Sequence, residues 1–164
     1  MALDQTAKQA NVKDSIKKYF VDNFQKNQTE VNKIPLTFDR QGLSEPKIQG
    51  QPVGVAKWVV IDIGSMYLDT LSTVNLDIIC CTKQDPEGYQ LNHLRDRVMG
   101  YLIDSSVTTG SGVKIPFYRS RATGAWTLLG NLVVSDIRES RDLVAEDGTK
   151  YKVTYVELRW GAKV

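Results

Sequence analysis

Few side chains in this sequence combine the type and spacing that catalysis requires. His93 is the only histidine, and it stands between Leu91 and Leu94 with no Ser or Cys nucleophile near it in sequence. A Ser-His-Asp site assembles in space, so spacing alone leaves it open, but the G-x-S-x-G nucleophile elbow is absent. We therefore interpret His93 as a partly exposed structural residue.

The two cysteines, Cys80 and Cys81, are adjacent in an apolar run. Neighbours on a β-strand point to opposite faces, so these thiols are badly placed to bond each other. The sequence has neither CxxC spacing nor clustered histidines, which argues against a zinc site. We expect both cysteines to be small buried hydrophobes in a reducing compartment.

Two further patterns bear on phosphate and metal binding. Residues 108–114, TTGSGVK, resemble a phosphate-binding loop but fail its G-x-x-x-x-G-K-[ST] spacing, so they are interpreted as a flexible loop. Asp62, Asp69, Asp77 and Asp85 are spread over predicted strands and turns, and no EF-hand loop occurs. The sequence therefore predicts no cofactor and no metal.

The segment YRSRATGAW offers chemistry of recognition. It contains Tyr118, Arg119, Arg121 and Trp126. Such a mixture can stack on bases and bind phosphates, and it is equally typical of the hot spots of protein interfaces. We favour protein contact.

Composition bounds the class of protein. The 164 residues suit one domain, and a hydrophobic content of 41% suffices for a core. Lys and Arg total 21 against 19 acidic residues, a net charge of +2 that argues against a dedicated nucleic-acid binder while leaving room for a local patch. No apolar run is long enough to span a membrane, and the N-terminus lacks the apolar core of a secretory signal. We expect a protein made and assembled in the cytosol.

Helical periodicity predicts two amphipathic helices. Residues 11–28 carry an apolar stripe, and Asn11 is the predicted N-cap. The second helix follows Asp85 as N-cap and Pro86 as first helical residue. The stripe residues are Val12, Ile16, Tyr19, Phe20 and Phe24 in the first helix, and Leu91, Leu94, Val98, Tyr101 and Leu102 in the second.

Alternating apolar residues predict strands at 34–39, 57–66, 71–83, 113–119, 126–139 and 151–160. The second and third form an antiparallel hairpin, Pro116 places its strand at an edge or bulge, and Asp147-Gly148 marks a turn. The expected fold is α+β, a two-layer domain with a mainly antiparallel sheet of five to six strands and two helices on one face. The later strands look apolar on both faces, which predicts burial against another subunit.

One loop is unusually long. Residues 40–56 contain two prolines, three glycines and no hydrophobic period. Compact domains rarely carry such a loop unless it is functional or disordered. We expect it to contact a neighbouring subunit or partner, with Arg40, Leu43, Ile48 and Val53 as its candidate contact residues.

The order of motifs carries a resemblance. A leading helix precedes IPLTFD, the long loop ends in KWVVIDI with Trp58 near its start, and LDIICCTKQDPEGYQLNHLRDRVMGYL joins a hairpin strand to a helix. TLLGNLVVSDIRES and KYKVTYVELRW then close the chain. This order resembles the tail terminator family of tailed bacteriophages over residues 12–160. The stretch TTGSGVKIPFYRSRATGAW is longer than the family pattern.

The resemblance implies a structural virion protein rather than an enzyme. Members form a hexameric ring that caps the head-proximal end of the tail tube, ends tube polymerisation and joins tail to neck. The implied partners are other copies of the chain, the tail tube protein, neck or connector proteins and, in contractile tails, the sheath protein. DNA passes through the ring without specific binding, no membrane or cofactor is involved, and assembly takes place in the host cytoplasm.

A closed ring needs two different surfaces on each subunit. The candidate surfaces are the long loop and the segment from Tyr118 to Trp126. Two alternatives remain: another connector protein, such as a head-closure or tail-completion protein, and a small cytosolic enzyme or nucleotide-binding domain.

Overall fold

Seven strands and two α-helices are present in residues 2–28, 34–39, 56–106, 112–120 and 125–164, which are the residues that this computed structural model describes. The sheet order is β1-β2-β3-β7-β5-β4, with β6 paired to β7. The β1–β2 pair is parallel and the other pairs are antiparallel. The strands are β1 Leu36–Phe38, β2 Lys57–Tyr67, β3 Leu71–Thr82, β4 Lys114–Arg119, β5 Thr127–Glu139, β6 Leu143–Val144 and β7 Lys150–Gly161.

The first helix, α1, spans Gln9–Phe20 and continues as a π-helical turn over Val21–Gln25. The predicted apolar stripe is confirmed, because Val12, Ile16, Phe20 and Phe24 are buried. The predicted boundaries were wrong. The helix begins at Gln9, two residues before Asn11, and the π turn ends its regular α-helical part before residue 28.

The second helix, α2, spans Tyr89–Met99 and starts from Gly88, which has a φ of +72°. The predicted N-cap at Asp85 and first residue at Pro86 were wrong, because the left-handed turn at Gly88 intervenes. Asp85 still accepts hydrogen bonds from the backbone N–H groups of Gln90 at 3.2 Å and Leu91 at 2.9 Å. Its carboxylate therefore satisfies the helix start from outside the helix.

The core lies between both helices and one face of the sheet, which confirms the two-layer α+β prediction. The β2–β3 hairpin is also confirmed. Its core-facing residues are Val59, Ile61, Ile63, Val74, Leu76, Ile78 and Cys80. A smaller cluster of Trp58, Val60 and Cys81 lies on the opposite face, which we call the open face.

Strand β4 is an edge strand, as Pro116 predicted. The register between β4 and β5 shifts between Phe117 and Tyr118, so that Leu129 of β5 has no partner in the ladder. A second shift, between β5 and β7, leaves Ser135 unpaired. Each shift adds a residue and reverses which side chains face the core.

These two bulges correct, for β5, the expectation that the later strands are apolar on both faces. Leu132 and Val134 are buried in the core, and Leu129 and Ile137 also pack against it. Strict alternation would instead place Leu132 and Val134 on one face and Leu129 and Ile137 on the other. The open face of β5 keeps only the exposed side chains of Leu128 and Val133. Strand β7 meets that expectation, with Tyr151, Val153 and Tyr155 on the open face and Val156, Leu158 and Trp160 in the core.

The predicted turn at Asp147-Gly148 is confirmed. Gly148 has a φ of +85°, and its N–H donates to the carbonyl of Ala145 at 3.0 Å. The turn joins β7 to the two-residue strand β6, which the sequence pattern did not predict. Within the described residues, no helix is long and apolar enough to cross a membrane.

Candidate protein-interaction surfaces

Two of the predicted contact residues meet beside α1. The rings of Tyr118 and Trp126 lie 6.0 Å apart, edge to face. The Lys18 ammonium lies 5.7 Å from the centre of the Tyr118 ring and 5.3 Å from that of Trp126. It also pairs with Asp22 at 2.5 Å. We call these four residues the aromatic–lysine cluster.

This cluster separates two surface cavities along α1. One has a volume of about 570 Å³ and lies towards Ser120 and Trp126. The other has about 380 Å³ and lies towards Lys114 and Pro116. A half-buried aromatic pair between two hollows has the shape of an anchor site for a partner's side chains.

The remaining predicted contact residues are divided. Arg119 is exposed at the end of β4. Arg40, Leu43, Ile48, Val53 and Arg121 lie outside the described residues, as does most of the long loop. Of the predicted contact residues the structure therefore describes Tyr118, Arg119 and Trp126, and the first and last of these belong to the aromatic–lysine cluster.

A second feature of α1 was missed by the sequence analysis: the helix covers the edge of β4. The buried hydroxyl of Ser15 accepts from the N–H of Tyr118 at 2.8 Å and lies 3.2 Å from its carbonyl oxygen. Asn11, also buried, accepts from the N–H of Ser120 at 2.9 Å. Helical side chains thus take the place of a neighbouring strand, and Pro116 has no N–H to offer.

A signal for this contact was present in the sequence. Asn11 and Ser15 are four residues apart, and each directly precedes an apolar residue of the stripe, Val12 or Ile16. Polar side chains at this spacing share the edge of the buried stripe. Interpreting Asn11 as an N-cap concealed that pattern.

The open face carries a row of polar side chains across four strands. Asp62 of β2 stands opposite Asp77 of β3, Asp77 opposite Tyr155 of β7, and Tyr155 opposite Arg138 of β5. Residues paired in this way lie on the same face. The aspartates are scattered along the sequence, but the pairing of β2 with β3 brings two of them, Asp62 and Asp77, side by side.

The environment of Asp62 and Asp77 disfavours their charged forms. Burial raises the pKa of Asp62, and the charges of Asp39 and Asp77 raise it further. Burial also raises the pKa of Asp77. Neither carboxylate has a salt-bridge partner within the described ranges.

Beside this pair lies a groove of about 400 Å³. Two of its acidic residues have arginine partners, since Arg138 pairs with Asp136 at 3.1 Å and Arg159 pairs with Glu157 at 2.9 Å, whereas Asp77, which also lines the groove, has none in the described residues. Tyr155 stands in the groove with 46% of its surface exposed. The open face thus combines an exposed aromatic ring with a carboxylate pair that has no counter-charge in the described part of the chain.

The residues first considered for catalysis are dispersed. His93 is exposed on α2, with its ring 4.3 Å from that of Tyr89. Cys80 and Cys81 are free and buried on opposite faces of β3, and burial raises the pKa of both thiols to about 12. Across the described part of the chain, no three His, Cys, Asp or Glu residues are grouped so as to hold a metal ion.

Comparison with models of known protein families and with curated proteins finds no match to this chain.

Proposed function

We propose that the chain is a tail terminator subunit: a structural virion protein that forms a hexameric ring at the head-proximal end of a phage tail tube. The ring ends tube polymerisation and joins the tail to the neck. The observation that carries the proposal is the one-sided coverage of the sheet. Helices cover one face, and the other retains exposed large hydrophobic side chains that a subunit contact would bury.

The exposed residues support this interpretation by their positions. Tyr67, Leu71, Val133 and Tyr155 lie on four different strands of the open face, and each is at least 37% exposed. Tyr67 stands opposite Thr73, Thr73 opposite Arg159, and Arg159 opposite Val133. The exposed hydrophobic side chains therefore alternate across the sheet with polar ones, which gives the mixed apolar and polar surface that is typical of a protein interface.

The test is to measure the mass of the protein by light scattering, alone and with purified tail tubes, and to image the mixtures by negative stain. We expect a sixfold ring, or a cap at one end of each tube. A monomer that ignores tubes would contradict the proposal. A nucleotide-dependent rise in the melting temperature of such a monomer would favour an enzyme instead.

A matched pair of variants tests whether the aromatic–lysine cluster takes part in capping. Trp126→Ala removes one ring of the aromatic–lysine cluster, and we expect it to weaken capping. Tyr89→Ala removes a ring from α2 that is even more exposed to solvent, and it should leave capping unchanged. Equal effects of the two substitutions would remove the aromatic–lysine cluster from the contact.

A further inference from the structure

We propose that the open face of one subunit docks on the α1 side of the next, so that subunits associate head to tail. This inference rests on the proposed ring function and specifies which two surfaces meet. The occupant of the open face is a second copy of this chain.

The open face contributes negative charge that nothing in the described chain neutralises. Asp136 and Glu157 have arginine partners, whereas Asp62 and Asp77 face each other and the charge of Asp39 adds to the field at Asp62. A carboxylate pair on central strands, half-shielded from water, interacts more strongly with an approaching cation than an exposed pair would.

The α1 side contributes the opposite charge. Residues 8–26 contain five lysines and two aspartates. Lys18 and Lys26 both bind Asp22, and Lys17 pairs with Asp39 at 3.3 Å. Lys13 is half-exposed, and its charge helps to lower the pKa of Asp39, but it forms no salt bridge within the described residues. It is therefore the cation of α1 that is best placed to pair with a carboxylate on another molecule.

The two-layer fold determines how these surfaces can meet. Within one chain the lysines of α1 reach Asp39 beside the carboxylate pair, where Lys17 forms a salt bridge, but no salt bridge joins them to Asp62 or Asp77 within the described residues. A contact between unlike surfaces is heterologous, and repeating it closes a ring when the rotation between subunits divides a full turn. Complementary charge then favours the correct order and disfavours helix side against helix side.

The open face also offers area for such a contact. Its groove of about 400 Å³ can receive a long side chain. The exposed ring of Tyr155 provides apolar surface directly beside Asp77. Such mixed surfaces, with aromatic residues next to charges, are typical of protein interfaces.

Charge reversal tests the proposal. Asp77→Lys and Lys13→Glu each place like charges at the contact, and each variant alone should associate and cap tubes at least about tenfold more weakly than the wild type. Mixed in equal amounts, the two variants should recover wild-type assembly. In an alternating ring, each contact then pairs either the introduced lysine with the introduced glutamate or the native Asp77 with the native Lys13.

A second pair of charge reversals is the matched control. Glu146→Lys and Arg141→Glu change exposed residues near the β6–β7 turn, away from both proposed surfaces. Neither substitution should change association or capping. An effect as large as that of Asp77→Lys would show that assembly responds to net charge rather than to the proposed contact.

Two results would overturn the inference while the ring function stands. One is capping at the wild-type level by both single variants, and the other is a loss of association in each variant that mixing does not restore. Thermal melts of all variants identify any loss of assembly that is due to misfolding. Recovery of assembly on mixing shows directly that both variants are folded. If the wild type associates and the mixture recovers but tubes remain uncapped, the head-to-tail contact stands and the terminator function fails. If the wild type does not associate under any condition, both fail.

Discussion

The carboxylates of Asp62 and Asp77 stand directly opposite each other on neighbouring strands, where like charges are destabilising. Burial and the nearby charges of Asp39 and Asp77 raise the pKa of Asp62, and burial raises that of Asp77. The fold tolerates this pair at a cost in stability.

Replacing Asp77 with Asn should stabilise the protein at pH 7. A raised folded-state pKa means that the stability contribution is complete below the unfolded-state pKa and is lost as the pH rises through the folded-state value. We therefore expect Asp77→Asn to add about 0.5 kcal/mol to the free energy of unfolding at pH 7 and nothing at about pH 3, measured by urea denaturation. Glu146→Gln, which removes an exposed charge, should show no such pH dependence. A loss of stability at pH 7 would contradict the prediction.

Asp85 is the opposite case. Burial alone would raise its pKa, but hydrogen bonds from the N–H groups of Leu91 and Gln90 and from the Thr82 hydroxyl outweigh burial, so the pKa is lowered. A lowered folded-state pKa gives stability that is present above the unfolded-state pKa and lost as the pH falls through the folded-state value.

Asp85→Ala should therefore destabilise the protein by about 1–2 kcal/mol at pH 7. The difference in unfolding free energy between this variant and the wild type should become smaller in acid, because the wild-type carboxylate is then protonated. Chemical denaturation at a series of pH values measures both effects. Glu87→Ala, in the same turn but exposed, is the control. An equal loss in the two variants would show that the hydrogen bonds of Asp85 are unimportant.

At the scale of elements, the periodicity of apolar side chains predicted the regular helices and strands. The β2–β3 hairpin, the apolar stripe of α2 and the edge position of β4 all follow from side-chain spacing. The bulges of β5 do not, because one added residue reverses the facing of side chains without changing composition. The contact of Asn11 and Ser15 with β4 also escaped, since it joins residues more than a hundred positions apart.

The candidate surfaces were predicted less completely than the fold. The segment containing Tyr118 and Trp126 was identified from residue type, and the two rings do meet. Lys18 was not among the predicted contact residues, because sequence alone does not show which strand lies beside a helix. The carboxylate pair required the β2–β3 register, which follows from the packing of the whole sheet.

Ser15→Ala tests the contribution of α1 to the β4 edge. The substitution leaves the N–H of Tyr118 without its hydrogen-bond partner in a half-buried site. We expect a loss of about 1–3 kcal/mol in the free energy of unfolding, measured by urea titration. Ser135→Ala removes an exposed hydroxyl that bonds Glu157, and it should cost much less. Similar losses for both would count against the edge contact.

Gly112 shows how closely β5 passes the segment that leads into β4. A β-carbon at this position would lie 2.3 Å from the carbonyl oxygen of Val134, which is backbone and cannot rotate away. Gly112→Ala should cost about 1–3 kcal/mol through forced backbone movement. At Gly130 the same added atom meets nothing within 4 Å, so Gly130→Ala is the matched control. Thermal melts of the two variants compare them, and a neutral Gly112→Ala would be inconsistent with this packing.

At the scale of the whole molecule, β3 occupies the middle of the sheet between β2 and β7. Its two thiols are at most 1% exposed, and they lie on both faces. Reagent can reach them together only when the sheet opens, so their reactivity reports global rather than local unfolding.

We expect Cys80 and Cys81 to resist iodoacetamide in native buffer and to react together once denaturant opens the sheet. Mass spectrometry of partly labelled samples should show unmodified and doubly modified protein, with little singly modified species. The midpoint of labelling should match that of unfolding measured by fluorescence. Rapid labelling of one thiol in native buffer would show that one face opens alone.

The covered edge of β4 has a consequence for subunits that have not yet assembled. A bare strand edge recruits further strands at a rate that rises with concentration, and the product is a fibril that rarely dissolves. Since Ser15 and Asn11 occupy the backbone N–H groups at the end of β4, that end can nucleate such growth only after α1 has detached. Fibril growth from this edge of the sheet should therefore begin no faster than α1 dissociates, while the opposite edge, at β1, lies outside this protection.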